Sequence, residues 1–153
     1  MQELLIEKEA ENERESADFA GLAISYFKKG DTVLLCGPLG SGKTFLTKIF
    51  VRLLGSNADV SSPSFTLINQ YAGKIRINHI DLYRISQKGD IGNLGLDDIF
   101  NDDSIKFIEW PQIIERQIEW LHFRIYIETN NSRSSWRKFR LIKFYEEKPD
   151  IGD

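Results

Sequence analysis

Eight consecutive residues, Gly37-Pro38-Leu39-Gly40-Ser41-Gly42-Lys43-Thr44, fit the pattern G-x-x-x-x-G-K-[S/T] at every position. Glycines at these points let successive backbone N–H groups turn toward one anion, and a following helix adds its positive N-terminal end. Lys43 supplies a point charge for the β- and γ-phosphates of a nucleoside triphosphate, and the Thr44 hydroxyl suits Mg²⁺. A chance match arises in roughly one such chain in two hundred at average residue frequencies. Here the match also falls between an apolar run and a helical pattern, a setting that chance seldom supplies.

Such a loop normally works with a carboxylate at the end of a neighbouring strand. Asp81, after the run 75–80, and Glu109, after the run 105–108, both qualify, and the residues alone leave the choice open. Between them lies Ser61-Ser62-Pro63-Ser64-Phe65-Thr66, dense in hydroxyls. That stretch is either a loop that senses a γ-phosphate or a proline turn with locally bonded serines. Trp110 reads as a core aromatic and His79 as a structural hydrogen-bonding group. The basic residues Arg133, Arg137, Lys138, Arg140 and Lys143 read as a solvated strand face. Two histidines and one cysteine leave no zinc site.

The elements that must position these groups follow from periodicity. Residues 12–28 carry Ala17, Ala20, Leu22, Ala23, Ile24 and Phe27 at helical spacing. The run 33–36, Val-Leu-Leu-Cys, is apolar on both faces, as a central parallel strand requires. Phe45, Leu46, Ile49, Phe50, Leu53 and Leu54 form the apolar face of a helix ended by Gly55. Residues 65–71 and 74–81 are expected as a hairpin about Ala72-Gly73, and 96–100 as a short helix. A strand over 105–109 leads into a helix opened by Trp110-Pro111 and running to about residue 117. Residues 122–128 and 136–145 are expected as antiparallel late strands, with a loose charged tail from 146. The fold class is α/β: a mixed sheet with flanking helices, antiparallel at its C-terminal strands, of the P-loop NTPase kind, in one domain over residues 1–153.

Composition narrows the partners. With 41% hydrophobic and 28% charged residues in 153, the chain can build a core without metal or disulfide staples. The single cysteine, Cys36, excludes an internal disulfide and suits a reducing compartment, with an inert thiol inside its apolar run. No signal peptide and no span of about 20 apolar residues is visible, so a cytoplasmic location away from membranes is expected. A net charge of −3 argues against strong direct binding of nucleic acid. A small-molecule kinase is the alternative class, but no arginine-rich lid insertion is present. A GTPase would need an Asn-Lys-x-Asp run, and none occurs.

Taken together, the P-loop, Ser62-Pro63-Ser64-Phe65-Thr66-Leu67, His79-Ile80-Asp81-Leu82-Tyr83-Arg84 and Glu109-Trp110-Pro111 resemble, in order and spacing, the TsaE (YjeE) family. The resemblance covers nearly the whole chain. It implies a Mg²⁺-dependent ATPase required for threonylcarbamoyladenosine modification of tRNA. It also implies TsaD and TsaB as partners, with hydrolysis resetting their complex and tRNA met only through it. By the same resemblance, Thr44 and Glu109 hold the metal, Lys43 and Asp81 act in catalysis, residues 62–66 form a switch loop and Trp110 stands next to the site. The expected nucleotide contacts are Pro38, Leu39, Gly40, Ser41, Gly42, Lys43, Thr44 and Phe45, together with Ser64 and Arg133. Ser64 keeps the hydroxyl of the threonine more usual there, and Ser132-Arg133 stands where the family commonly carries Gly-Arg. Ser16 is a further candidate on the nucleotide side.

Overall fold

The computed structural model describes residues 1–63, 66–88 (the last three by backbone alone), 96–118 and 121–146. Ser64, Phe65 and the tail beyond 146 lie outside them. A seven-stranded sheet runs in the order β1-β7-β6-β2-β5-β4-β3. Its strands are β1 Gln2–Ala10, β2 Thr32–Cys36, β3 Ile68–Tyr71, β4 Ile77–Asp81, β5 Ile105–Glu109, β6 His122–Asn130 and β7 Arg133–Phe144. β2 is central and pairs in parallel with both β5 and β6, while β4 extends the parallel group beyond β5. The β3–β4, β6–β7 and β1–β7 pairs are antiparallel. The mixed sheet with antiparallel late strands expected from the sequence is present.

Two apolar clusters fill the two faces. Helices α1 (Glu13–Ala23) and α2 (Lys43–Leu53) cover one, where Val33, Leu35, Ile77, Phe107 and Ile125 meet Phe19, Leu46 and Phe50. On the other, Leu34, Ile80 and Ile108 meet Leu82, Ile114 and residues of the short helix α4 (Leu96–Phe100). Alternation along β2 therefore sends Leu34 one way and its neighbours the other, which is why the strand is apolar throughout. Phe50 stacks on Phe107 with centroids 5.0 Å apart, and Phe27 meets both Phe50 and Phe123 edge-on at 5.6 and 5.1 Å.

That aromatic cluster explains where the first helix stops. Asn12 caps α1 by accepting the N–H of Glu15 at 3.0 Å, and the Glu15 carboxylate accepts the N–H of Glu11 at 2.6 Å. The helical spacing continues to residue 28, yet α1 ends at Ala23 and a 3-10 turn takes over at Ile24–Tyr26. Phe27 then adopts an extended backbone (φ −96°, ψ 143°) next to a helix that would otherwise continue. Burial of its ring among three other rings outweighs the local helical preference.

Four further elements depart from the expected pattern. β1 has no clean alternation and is largely exposed; its register with β7 sets Glu3 against Lys143, Glu7 against Arg140 and Glu9 against Lys138. Lys138 reaches Glu7 at 2.9 Å. Opposite charges thus face each other along the edge strand, while its Leu5, Ile6 and Ala10 pack against the core. α3 (Tyr83–Lys88) follows Asp81 where no helix was expected. β3 starts at Ile68, because Leu67 is in the left-handed region at φ 66° and breaks the extended run. The segment after Trp110 winds as a 3-10 helix over Pro111–Gln117. No described helix is long and apolar enough to cross a membrane.

Phe107 is fully buried where α2 packs on β5. Phe107→Ala is expected to lower unfolding free energy by about 3–5 kcal/mol through lost burial and a cavity. Urea denaturation should show a lower midpoint with an unchanged slope; a loss under about 1 kcal/mol would contradict this account of the core.

Candidate functional site

The glycine-rich loop spans the gap between the end of β2 at Cys36 and the start of α2 at Lys43. Gly42 sits at φ 102°, a conformation L side chains rarely adopt, and it caps the helix. At Gly37 the constraint is space: an added Cβ would lie 2.7 Å from Ser41 Oγ and 3.1 Å from Ile127. Lys43 Nζ folds back on the loop, donating to Gly37 O at 2.6 Å and Pro38 O at 3.0 Å. It lies 4.1 Å from the centroid of the Trp110 ring. Burial lowers the Lys43 pKa, opposed by the charges of Glu109 and Asp81. An ammonium held this way, with little water, gains strongly from an anion.

The two carboxylates reach the loop through strand register. β4 and β5 are parallel with Asp81 opposite Glu109, and Leu35 of β2 is opposite Glu109 in turn. Asp81 and Glu109 alternate with Ile80 and Ile108, whose side chains go to the other face. Both acids therefore point to the face that carries α2. Thr44 Oγ1 donates to Glu109, 3.0 Å from Oε2. His79, two residues before Asp81 and fully buried, places Nε2 2.5 Å from the same Oε2. A histidine expected to have only a structural hydrogen bond thus grips a carboxylate of the site; alternation on β4 was the available signal. Asp81 accepts the N–H of Tyr83 at 2.9 Å on Oδ1 and the Ser62 hydroxyl at 2.8 Å on Oδ2. Ser62, from the hydroxyl-rich segment, is in this way tied to the site.

Thr44 Oγ1 and Glu109 are hard oxygen donors in contact, which fits Mg²⁺ in kind. Among the described residues no cluster of three or more His, Cys, Asp or Glu could hold an ion alone. An ion here would draw its remaining ligands from phosphates and water, the usual habit of Mg²⁺.

Trp110 is a lining residue as well as a packing one. It takes a left-handed backbone (φ 56°), stacks obliquely on Tyr83 at 4.9 Å and covers Lys43. A cavity of about 420 Å³ lies between Leu39, Lys43, Thr44, Ser62, Asp81, Glu109, Tyr83 and Trp110. A second, of about 300 Å³, opens on the other side of Gly40, Ser41, Gly42 and Phe45, against Ser16 of α1 and Ser134 and Ser135 of β7. Gly40, Ser41, Gly42 and Phe45 are thus shared by two adjoining hollows.

Of the remaining expected contacts, Pro38 accepts from both Lys43 and the Ser41 N–H, and Ser64 lies outside the described residues. Arg133 pairs with Glu11, while Arg137, four residues on, meets the loop: its Nε donates to Ser41 O at 2.7 Å. Sequence reasoning grouped Arg137 with solvated charges because nothing local separates it from its basic neighbours. Cys36 is half-buried, and burial pushes its thiol up to about 11, so it is unreactive at neutral pH.

Comparison with known proteins adds an independent line. The family described as "Threonylcarbamoyl adenosine biosynthesis protein TsaE" matches residues 10–139. The chain is 36% identical over 118 residues to the tRNA threonylcarbamoyladenosine biosynthesis protein TsaE of Bacillus subtilis, covering 76% of this chain and 73% of that one. It is 35% identical over 126 residues to the protein of that name from Rickettsia typhi, covering 80% and 87%. The crystal structure of Bacillus subtilis YdiB superposes with a TM-score of 0.76 at 30% identity, over 94% of this chain and 88% of that one. Matched across 130 of its 153 residues by the family pattern, and at this depth of identity by two relatives, the chain belongs to the TsaE family.

Proposed function

We propose that this protein binds ATP with Mg²⁺, hydrolyses it, and thereby serves threonylcarbamoyladenosine modification of tRNA. The convergence of Lys43, Thr44, Asp81 and Glu109 on one cavity beside the phosphate loop carries this reading. The family relationship supplies the pathway, since relatives carry the name of tRNA threonylcarbamoyladenosine biosynthesis. TsaD and TsaB are the partners proposed for it, acting in the cytoplasm.

Each residue has a definite task. Lys43 leaves the carbonyls of Gly37 and Pro38 for the β- and γ-phosphates, exchanging neutral acceptors for anionic ones. Bound Mg²⁺ would neutralise charge on those phosphates. Glu109 and Thr44 would supply its protein ligands, and His79 keeps the carboxylate of Glu109 turned toward Thr44. Asp81 has two anchoring bonds, from Tyr83 N–H and Ser62, which leave acceptor capacity to orient a water and take its proton. Trp110 and Leu39 limit solvent at the mouth. Because Ser62 bonds Asp81 directly, any movement of Ser62 by a partner alters the hydrolytic carboxylate. Slow turnover alone and faster turnover with partners is the outcome expected of such coupling.

Lys43→Ala should weaken ATP binding by about tenfold or more, given roughly 1.5–3 kcal/mol for each charged hydrogen bond. Calorimetric titration measures it, and an unchanged Kd removes the phosphate-loop reading.

Asp81→Asn keeps groups able to meet Tyr83 N–H and Ser62 while removing charge. It should bind Mg–ATP within about threefold of the unsubstituted protein yet hydrolyse it about a hundredfold more slowly. Glu109→Gln should instead raise the Mg²⁺ concentration needed for ATP binding. Single-turnover rates with Mg²⁺-titrated binding separate the two; the opposite pattern reverses the assignment.

The functional reading is tested by counting modified adenosines per TsaD over time with TsaB present. Sustained modification is expected with this protein and hydrolysable ATP. Equal yield from Lys43→Ala protein would remove ATP coupling from its role.

A further inference from the structure

The carbonyl oxygens of a phosphate loop are a hazard to its function. Each carries partial negative charge, and any that turned inward would repel the anion that the N–H groups attract. Between the end of β2 and the start of α2, over residues 37–42, five carbonyls have identified donors. Gly37 O and Pro38 O accept from Lys43, and Gly42 O accepts the N–H of Leu46 at 2.9 Å as the first bond of α2. The remaining two, Gly40 O and Ser41 O, are held by Arg137 alone of the described side chains, at 3.2 Å from Nη2 and 2.7 Å from Nε. The same guanidinium donates from Nη1 to Ser134 O and Trp136 O, both at 2.7 Å. One planar group thus bridges four backbone carbonyls, two on the phosphate loop and two on its own strand.

We propose that Arg137 is a positioning residue for nucleotide binding, a staple that fixes the peptide planes at Gly40 and Ser41 so that the loop is shaped before the phosphates arrive. This rests on the reading of residues 37–44 as a phosphate-binding loop. In a trans peptide the C=O of one residue and the N–H of the next point in opposite directions. Drawing Gly40 O and Ser41 O toward β7 therefore turns the N–H groups of Ser41 and Gly42 away from it. The Ser41 N–H is used internally, at 3.1 Å from Pro38 O, which leaves that of Gly42 for the anion. Gly40 and Gly42, both in the left-handed region, have no side chain to hold their torsions. An external clamp supplies the constraint that the glycines lack.

Lys43 and Arg137 divide the work differently. Lys43 must leave its carbonyls to reach phosphate, whereas Arg137 bonds only carbonyls that face away from the anion and has no need to move. The arrangement also depends on a fork of donors. Lysine would keep the charge, but its single nitrogen cannot span carbonyls on two chain segments. Position on β7 fixes the reach: Arg137 lies between Thr129 of β6 and Ala10 of β1, on the face shared with Phe139, which stacks on Phe19 at 4.5 Å.

The test compares the unsubstituted protein with Arg137→Lys and Arg137→Ala, using Mg–ATPγS and inorganic tripolyphosphate as probes. Both variants should bind both probes about tenfold more weakly, by equal factors, because the loop and not the base side is disturbed. Rescue by lysine would reduce Arg137 to a charge and overturn the proposal. So would a loss confined to Mg–ATPγS, which would make it a contact to the nucleoside. If the unsubstituted protein bound neither probe, the phosphate-loop reading itself would fall, and this inference with it. A second measurement needs no variant. The Arg137 Nε–H resonance should exchange slowly with water in the free protein and stay protected when tripolyphosphate saturates the site. Loss of protection on binding would show that the clamp opens, and would overturn the proposal even if the variants misfold.

Discussion

The parallel register of β2, β5 and β4 is the constraint on which the site depends. Leu35, Glu109 and Asp81 stand level across three strands, so two carboxylates arrive beside the loop that leaves β2 one residue later. Side chains alternate with a period of two along a strand, and a slip of one residue would turn both acids to the opposite face. Such a slip would also drive Phe107 out of the α2 face and Ile108 into it. The apolar packing on either side of the sheet therefore specifies the position of the polar groups at its end. Burial of Val33, Leu34 and Leu35, one after another, is what makes the central strand immovable enough for the purpose.

Around that frame, charge is concentrated and nearly dry. Glu109 is 3% exposed and Asp81 4%, with Lys43 at 5%, burial that would be costly for isolated ions. Each is compensated in a specific manner. Glu109 has Thr44 and His79, Asp81 has a backbone N–H and Ser62, and Lys43 has two carbonyls and the face of Trp110. These partners orient the groups as well as satisfying them. They also connect the site to elements that differ in rigidity: His79 belongs to the sheet, whereas Ser62 belongs to an irregular segment.

The outer strands serve a different end. β6 and β7 form a long antiparallel pair whose far end reaches back over the glycine-rich loop, and β1 closes the edge of β7 with complementary charges. Residues as distant as Glu11 and Arg133 meet there. This part of the sheet brings Ser134, Ser135 and Arg137 to the side of the loop opposite the carboxylates. The loop is consequently bounded on both flanks, by strand ends on one and by a hairpin on the other.

How much of this could be read beforehand depends on how local each feature is. The loop from Gly37 to Thr44 was legible because glycine torsions and the adjacent lysine and hydroxyl need no distant partner to be recognised. The central strand, α2, β5 and the late antiparallel pair were legible through periodicity and apolar runs. By contrast, α1 ends at Ala23 because Phe27 finds an aromatic cluster assembled from α2, β5 and β6. β1 has no clean alternation of its own and takes its place from the edge of β7 with which it pairs. The same holds at the site. By itself the sequence determined which residue types were at hand and where the glycine-rich loop lies between β2 and α2. Only the tertiary structure decided that His79 grips Glu109 across 30 positions and that Arg137 clamps Gly40 across 97. It also decided that Ser62 holds Asp81. These are relations of register and hairpin closure, set by which strands pair and which faces are buried, and no local pattern encodes them.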